Sequence, residues 1–233
     1  MTARYALVAV LALLAGGCVV ETTGPTQRES RIFERDASEL VGVNLHMGAG
    51  NLRVSGVTDK LARATFSYNV PSWKPYVHYS SAAGHGNLTI EQPGHNHSHM
   101  GHMRYEWDVQ LNREVPIDLK VNFGAGNAQL DVGSLSLRSL DVEMGVGKLD
   151  LDLRGNPKRN FDVRIRGGIG EASVRLPADV GVYAEAQGGI GEISVHGLRH
   201  EGQHYFNDAY EHSKVTIHLD IRGGIGAIRL ISD

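Results

Sequence analysis

The sequence predicts an all-β protein, a single right-handed parallel β-helix or β-solenoid of about six or seven coils with inserted loops. Three observations lead there. Glycine makes up 29 of 233 residues, against a usual share of roughly 7%, while aromatics are only 6%, so Val, Ile and Leu must build the core. Apolar residues alternate with polar ones on both sides of a recurring Gly-x-Gly, the mark of strands with one buried face. The second glycine of that unit returns every 21 to 23 residues at Gly126, Gly147, Gly170 and Gly191, as expected when each coil stacks on the next. Sandwiches of hairpins rarely repeat one corner sequence at a fixed step.

The chain opens with a segment expected to be removed. Residues 1–17 carry Arg4, an apolar run from Tyr5 to Ala15 and then small residues. That run falls short of the roughly 20 residues a membrane span needs, so it reads as a signal peptide. The lone cysteine, Cys18, follows Leu14-Ala15-Gly16-Gly17. This resembles the lipobox of bacterial lipoproteins, with the leucine one step further from the cysteine than is usual. The resemblance implies lipidation of Cys18, a multi-chain anchor that holds stably to a membrane. Val19 in place of Asp fits sorting to the outer membrane of a Gram-negative cell. A single cysteine excludes an intrachain disulfide and a Cys-rich zinc site. Residues 18–39 are expected to be a tether, since 21–30 (ETTGPTQRES) is polar and holds Gly24 and Pro25.

The solenoid domain is then expected over 40–233. Its repeats are LHMGAGNLRV (45–54), VNFGAGNAQLDV (121–132), VEMGVGKLDLDL (142–153), VRIRGGIGEASVRL (163–176), AEAQGGIGEISV (184–195) and LDIRGGIGAIRL (219–230), with a weaker copy SSAAGHGNLTI at 80–90. The corners fall at Gly50, Gly126, Gly147, Gly170, Gly191 and Gly226, and at Gly86 in the weak copy. Glycine suits a corner because it reaches φ > 0 and lets backbones approach closely. Longer steps elsewhere predict inserted loops at 55–80, 91–118 and 197–215.

One ordered string supports a resemblance. Trp107-Asp108-Val109-Gln110-Leu111-Asn112, Val115-Pro116-Ile117-Asp118-Leu119, Gly124-Ala125-Gly126, Leu130-Asp131-Val132 and Leu135-Ser136-Leu137 occur in sequence. Together they resemble the bacterial toast-rack family, related to the C-terminal domain of LiaF-type cell-wall stress proteins and to adhesin-like envelope domains. The later Gly-Ile-Gly copies and the ending from Tyr205-Phe206-Asn207 fit the same pattern. The resemblance implies a β-helical envelope protein without catalytic residues.

Chemistry is sparse. The net charge of −3 gives no basic excess for nucleic acid. Gly-Gly-Ile-Gly occurs at 167–170, 188–191 and 223–226 without a Walker Lys-Ser/Thr or a following helix, so it reads as architecture rather than as a phosphate loop. There is no Gly-x-Ser-x-Gly elbow, and Asp150, Asp152 and Glu192 alternate with core positions on strands. The sharpest signal is GHNHSHMGHM at 94–103. His95, His97 and His99, spaced by two, share a face if extended, with His102 following, and imidazole ligates Cu, Ni or Zn. A second group, His196, His200, His204 and His212, is weaker, and His46 and His218 are expected to face outward. The chain is therefore expected to be a non-enzymatic, lipid-anchored envelope scaffold that binds a protein or an envelope polymer. Periplasmic metal binding at 95–102 is the alternative, and a carbohydrate-active β-helix the third reading.

Overall fold

Long alternating stretches become long strands, and the glycines decide where those strands bend. The computed structural model describes residues 20–94, 98–100 and 102–233. In chain order the strands are β1 (Val20–Thr22), β2 (Gln27–Phe33), β3 (Leu40–Thr58), β4 (Ala62–Tyr68), β5 (Tyr76–Ala82), β6 (His85–Glu91), β7 (Ser98–Met100), β8 (Tyr105–Asn112) and β9 (Ile117–Asp131). They continue as β10 (Leu137–Asp152), β11 (Phe161–Leu176), β12 (Gly181–Gln187), β13 (Ile190–His196), β14 (Arg199–Glu201), β15 (His204–Phe206), β16 (Thr216–Arg222) and β17 (Ile225–Ser232). The one helical element among the described residues is a 3-10 turn at Pro71–Trp73. β1 and β7 pair with each other, and all the other strands share one 15-stranded sheet.

β3 shows how a strand bends without stopping. Val41, Val43, Leu45 and Met47 are buried, and the next buried residues are Leu52 and Val54. Strict alternation would have buried positions 49 and 51. Gly48-Ala49-Gly50 instead slips the phase by one, with Gly50 at φ +147°. The same slip separates Phe123 from Ala128 in β9 and Met144 from Leu149 in β10. Each long strand thus has two arms, and both arms contribute buried residues to one core.

The bends lie in register. Gly50 pairs with Gly126, Gly126 with Gly147, Gly147 with Gly170, Gly170 with Gly226 and Gly226 with Gly191, all in parallel ladders. A Cβ built on Gly147 would lie 1.9 Å from the Gly126 carbonyl oxygen, and one on Gly170 would lie 1.8 Å from that of Gly147. Positive φ and the closeness of the neighbouring backbone therefore both demand glycine in this column.

Several expectations need correction. The copies do not stack in chain order: β16 and β17 lie between β11 and the outer pair β12 and β13. The chain leaves β13 through the β14–β15 hairpin, which pairs antiparallel with β12 and occupies that strand's outer edge, so the last copy inserts one level back. Gly86 is not a corner. It pairs with Val41, far from the bend. The level beside β3 is assembled from β6 along one arm and β8 along the other. At its bend the Gln92 Oε1 accepts hydrogen bonds from the Gly48 and Ala49 amides at 2.7 and 3.1 Å.

The stretches expected as insertions are also partly sheet. β4 lies in 55–80 and β8 in 91–118, and they extend the sheet antiparallel to each other, while β14 and β15 lie in 197–215. The tether expectation for 18–39 fails as well, because β2 pairs with β4 over its whole length. Its charged sequence hid it. Arg28, Glu29 and Arg31 suit an edge strand, where charge discourages further pairing.

Two buried asparagines tie down the returning chain. Asn112 donates to the carbonyls of Asp59 and Lys60 and accepts from the amides of Glu114 and Val115. Asn207 donates to the carbonyls of Pro177 and Val180 and accepts from the Val182 amide. Each satisfies loop groups that would otherwise be buried unpaired.

The glycine column yields a graded test. Gly170→Val should cost more than the about 1–3 kcal/mol that backbone strain alone explains, because the side chain also meets backbone. Gly202→Ala should cost only about 1–2 kcal/mol, since Gly202 has φ +64° but nothing within 4 Å of a Cβ. Glu171→Ala, on an exposed strand position, should change little. Urea unfolding of the three variants checks that order.

Candidate functional site

Strict register stacks outward side chains into ladders, and the two arms carry different ones. On the first arm Lys120, Asp141, Arg164 and Asp220 occupy one row across β9, β10, β11 and β16. Signs alternate along it, and Arg164 lies 3.7 Å from Asp141. In the adjoining rows Arg166 lies 3.9 Å from Asp220, Lys120 lies 4.0 Å from Glu143, and the Ser139 hydroxyl donates to Asp118 at 2.8 Å. These partners are half-exposed and screened, so each pair contributes little stability. The face neutralises itself and leaves little charge to recognise a ligand.

The second arm is different. Its outer face forms an open trough crossing from β2 over β4, β8 and β3 to β9 and β10. Arg53 donates to the Gln129 amide oxygen at 3.0 Å, and Asn127 donates to Asn51 at 3.2 Å. Arg104 pairs with Glu106 at 2.9 Å. Arg28 and Asp108 line the same trough, with no side-chain partner of their own among the described residues. The trough continues through Gln129 and Asp150 into a neighbouring polar depression bounded by Lys148, Asp152, Ser173 and Arg175. There Lys148 lies 3.1 Å from Asp150. Hydrogen bonds from Arg154 hold the Asp152 carboxyl below its ordinary pKa, partial burial opposing them. Amides, guanidinium groups and carboxylates set side by side can donate to and accept from a polar, extended ligand at many points.

Nothing in the trough assembles a nucleophile with a base. Asp150 and Asp152 face outward and are engaged by Lys148 and Arg154. Neither tryptophan is offered to a sugar ring. Trp107 is buried, edge-on to Phe66 and Tyr105, and Trp73 packs against the core beside Tyr105. Burial raises the Tyr105 phenol well above its ordinary pKa.

The other sequence-derived candidates scatter. Cys18, His95 and His97 lie outside the described residues. His99 falls in β7, and the His102 carbonyl accepts a hydrogen bond from Asn69 at 2.7 Å. His204 takes part in a 2.7 Å hydrogen bond with the Tyr183 hydroxyl, while His200 stacks on Tyr205. Among the described residues no group of three or more His, Cys, Asp or Glu side chains could hold a metal ion. His46 sits beside Asn122 at 3.0 Å, and His218 beside Asp162 at 3.5 Å, both on the outer face of the first arm. The glycines form the structural bend column and line no part of the trough. Sequence reading missed the trough because its residues look like ordinary outward strand positions; Arg53 and Gln129 meet from 76 positions apart.

Comparison with known proteins agrees with this architecture. Residues 22–175 match the family described as the N-terminal domain of toast_rack, and residues 124–230 match the C-terminal region of LiaF, a cell wall-active antibiotics response family. A crystal structure named as a candidate cell adhesion protein from Clostridium sporogenes is 37% identical, covering 89% of this chain and 100% of that one, with a TM-score of 0.87. A candidate adhesin from Bacteroides fragilis is 12% identical over 90% of this chain and 99% of its own, with a TM-score of 0.32, too low to bear on the fold. No curated protein matches the sequence.

Proposed function

The chain belongs to the toast-rack family, and from that premise we propose that it is a non-enzymatic, adhesin-like module of the cell envelope whose second-arm trough binds a cell-wall polymer. The observation that supports this most is the trough itself. It presents amides and charges of both signs along a stretch several strands wide, with Arg28 and Asp108 free to meet a ligand. A hydroxyl- and amide-rich chain laid across those strands would find a donor or acceptor at each one. The relative from Clostridium sporogenes, named for cell adhesion, and the LiaF match, named for a response to cell wall-active antibiotics, point to the same compartment.

Lipidation at Cys18 and outer-membrane placement complete the proposal. The lipobox-like run before the only cysteine supports them. Such an anchor would hold the module at a membrane surface while the trough engages the wall.

Two experiments test this. Co-sedimentation with purified cell-wall sacculi should show binding by the wild-type domain. The double variant Arg53→Ala/Asp108→Ala should bind at least tenfold more weakly with an unchanged Tm, because exposed substitutions usually shift stability by no more than about 0.5 kcal/mol. Undiminished binding by that variant would remove the trough from the account. For the anchor, metabolic labelling with a fatty acid should mark the wild type and leave Cys18→Ala unlabelled in the soluble fraction; an unlabelled, soluble wild type would end the lipoprotein proposal.

A further inference from the structure

The two arms do not end at the same level. On the first arm the sheet runs past β12 into β15 and β14. On the second arm it stops at β13, which pairs only with β17. The first arm therefore extends two strand spacings farther, about 10 Å at 4.7–4.9 Å each. One layer of the stack overhangs a level at which the other has no strand.

The overhang keeps aromatic rings on its inner side. Tyr205 pairs in register with Ala184, a fully buried residue, and packs against the core itself. His200 stands opposite Tyr205 in the hairpin, and the two rings stack with centroids 4.7 Å apart. Opposite residues of an antiparallel pair share a face, so both rings lie on the side turned to the second arm. There Ile193 and Val195 are only partly buried. Their counterparts one and two levels back, Ile228 and Ala172 in one row and Leu230 and Val174 in the other, are buried.

The edge of β13 is open as well. A strand paired on one side turns alternate N–H and C=O groups to the other, and among the described residues nothing meets those of Gly191 to His196. Natural sheet edges are guarded by charge or proline. The two ends of the main strand path follow that rule, with Arg28, Glu29 and Arg31 on β2 and Arg199 and Glu201 on β14. β13 reads IGEISVH, with Glu192 as its one charged residue besides the histidine and no proline. Glu192 has no ion-pair partner among the described residues. β5, at the far end of the stack, is uncharged too, but the link from β2 to β3 closes that end: Tyr79 packs on Phe33 and donates to Asp36 at 2.8 Å.

We infer that the β13 edge takes up one extended polypeptide segment of another protein, added as the next strand of the second arm beneath Tyr205 and His200. A strand edge repeats donors and acceptors at a spacing that another polypeptide backbone matches and a glycan or lipid does not, and such strand addition is a recurring mode of peptide recognition. Side chains define the segment further. Successive residues of a strand point to opposite faces, so every second residue of the guest enters beside Ile193 and Val195 and is apolar. The others face solvent, where a basic residue complements Glu192. A second folded copy does not fit, because pairing β13 with β13 would bring the other copy's β12 to the level that β15 already occupies. The site lies away from the trough and does not depend on its ligand.

The test uses the full chain and a fluorescein-labelled peptide with the β17 sequence IGAIRLIS, which already matches β13 in register and carries an arginine. Fluorescence anisotropy should show binding, and hydrogen exchange should show new protection at Gly191 to His196. N-methylation of alternate peptide residues separates backbone pairing from apolar adhesion. A strand held by one edge should lose roughly tenfold or more in affinity with one methylated set and keep its affinity with the complementary set. Glu192→Lys, which installs an edge guard and reverses the charge, should weaken binding by a similar factor, and His200→Ala should weaken it by less. Both positions are exposed, so both variants should keep the wild-type Tm. Absence of binding, equal loss with both methylated sets, or full-strength binding by both protein variants would overturn the inference. So would protection at Tyr76 to Ala82 in place of β13, or a chain that dimerises in analytical ultracentrifugation and ignores the peptide.

Discussion

Everything in this molecule depends on how closely its backbones approach at the bend. Parallel strands lie about 4.8 Å apart, and where they turn together a carbonyl of one level points at the Cα of the next. The Gly126 oxygen would lie 1.9 Å from a Cβ on Gly147, and the Gly226 oxygen 1.7 Å from one on Gly191. No side chain survives there. The same residues hold φ between +123° and +149°, so one atom's absence meets both a steric and a conformational demand. Because the phase slip is shared, every level can present its next apolar residue inward beyond the bend, and a single core runs the length of the stack.

The ends of the stack are finished differently, and that difference distributes possible functions. At one end Gln92 supplies a side-chain oxygen where backbone is missing, and β8, β4 and β2 carry the second arm onward as an antiparallel extension. This extension completes the polar trough. At the other end the β14–β15 hairpin covers β12 but not β13, and the inner bend row has given way to glycine. The polar trough therefore belongs to one end of the stack. Between the two ends the first arm offers only charges that neutralise one another.

Much of the strand structure was legible in the sequence. Alternation predicts Val163, Ile165, Ala172, Val174 and Leu176 inward, and they are buried, but it predicts Ile169 inward too, and the slip at the bend leaves that residue half exposed. The Gly-x-Gly units coincide with the bends except at Gly84–Gly86. Order was not legible. Copies that share one alternation and one glycine spacing are interchangeable as neighbours, so nothing local says that the final copy inserts beside β11. Edge strands were hidden by the charges that protect them, as in QRESRIF at 27–33. Asn112 and Asn207 stood in recognisable strings, yet their roles depend on carbonyls of Asp59 and Pro177, distant in the chain. The trough was illegible for the same reason. Asn51, Arg53, Asn127 and Gln129 are unremarkable one at a time and become a surface only through register. Gly167 and Gly188 look like their corner neighbours in the sequence, but neither a positive φ nor a close contact demands glycine there.

The claim that the bend holds the arms together is most directly tested by native-state hydrogen exchange. The amides of Val146, Gly147, Ile169 and Gly170 lie within the parallel ladders. If the bend column is the constraint on which the fold depends, these amides should exchange only through global unfolding, with the same free energy as those of Leu140 and Leu151 in the two arms. Bend amides that exchange through local opening, while both arms stay protected, would show that the arms hold the fold and the glycine column merely follows.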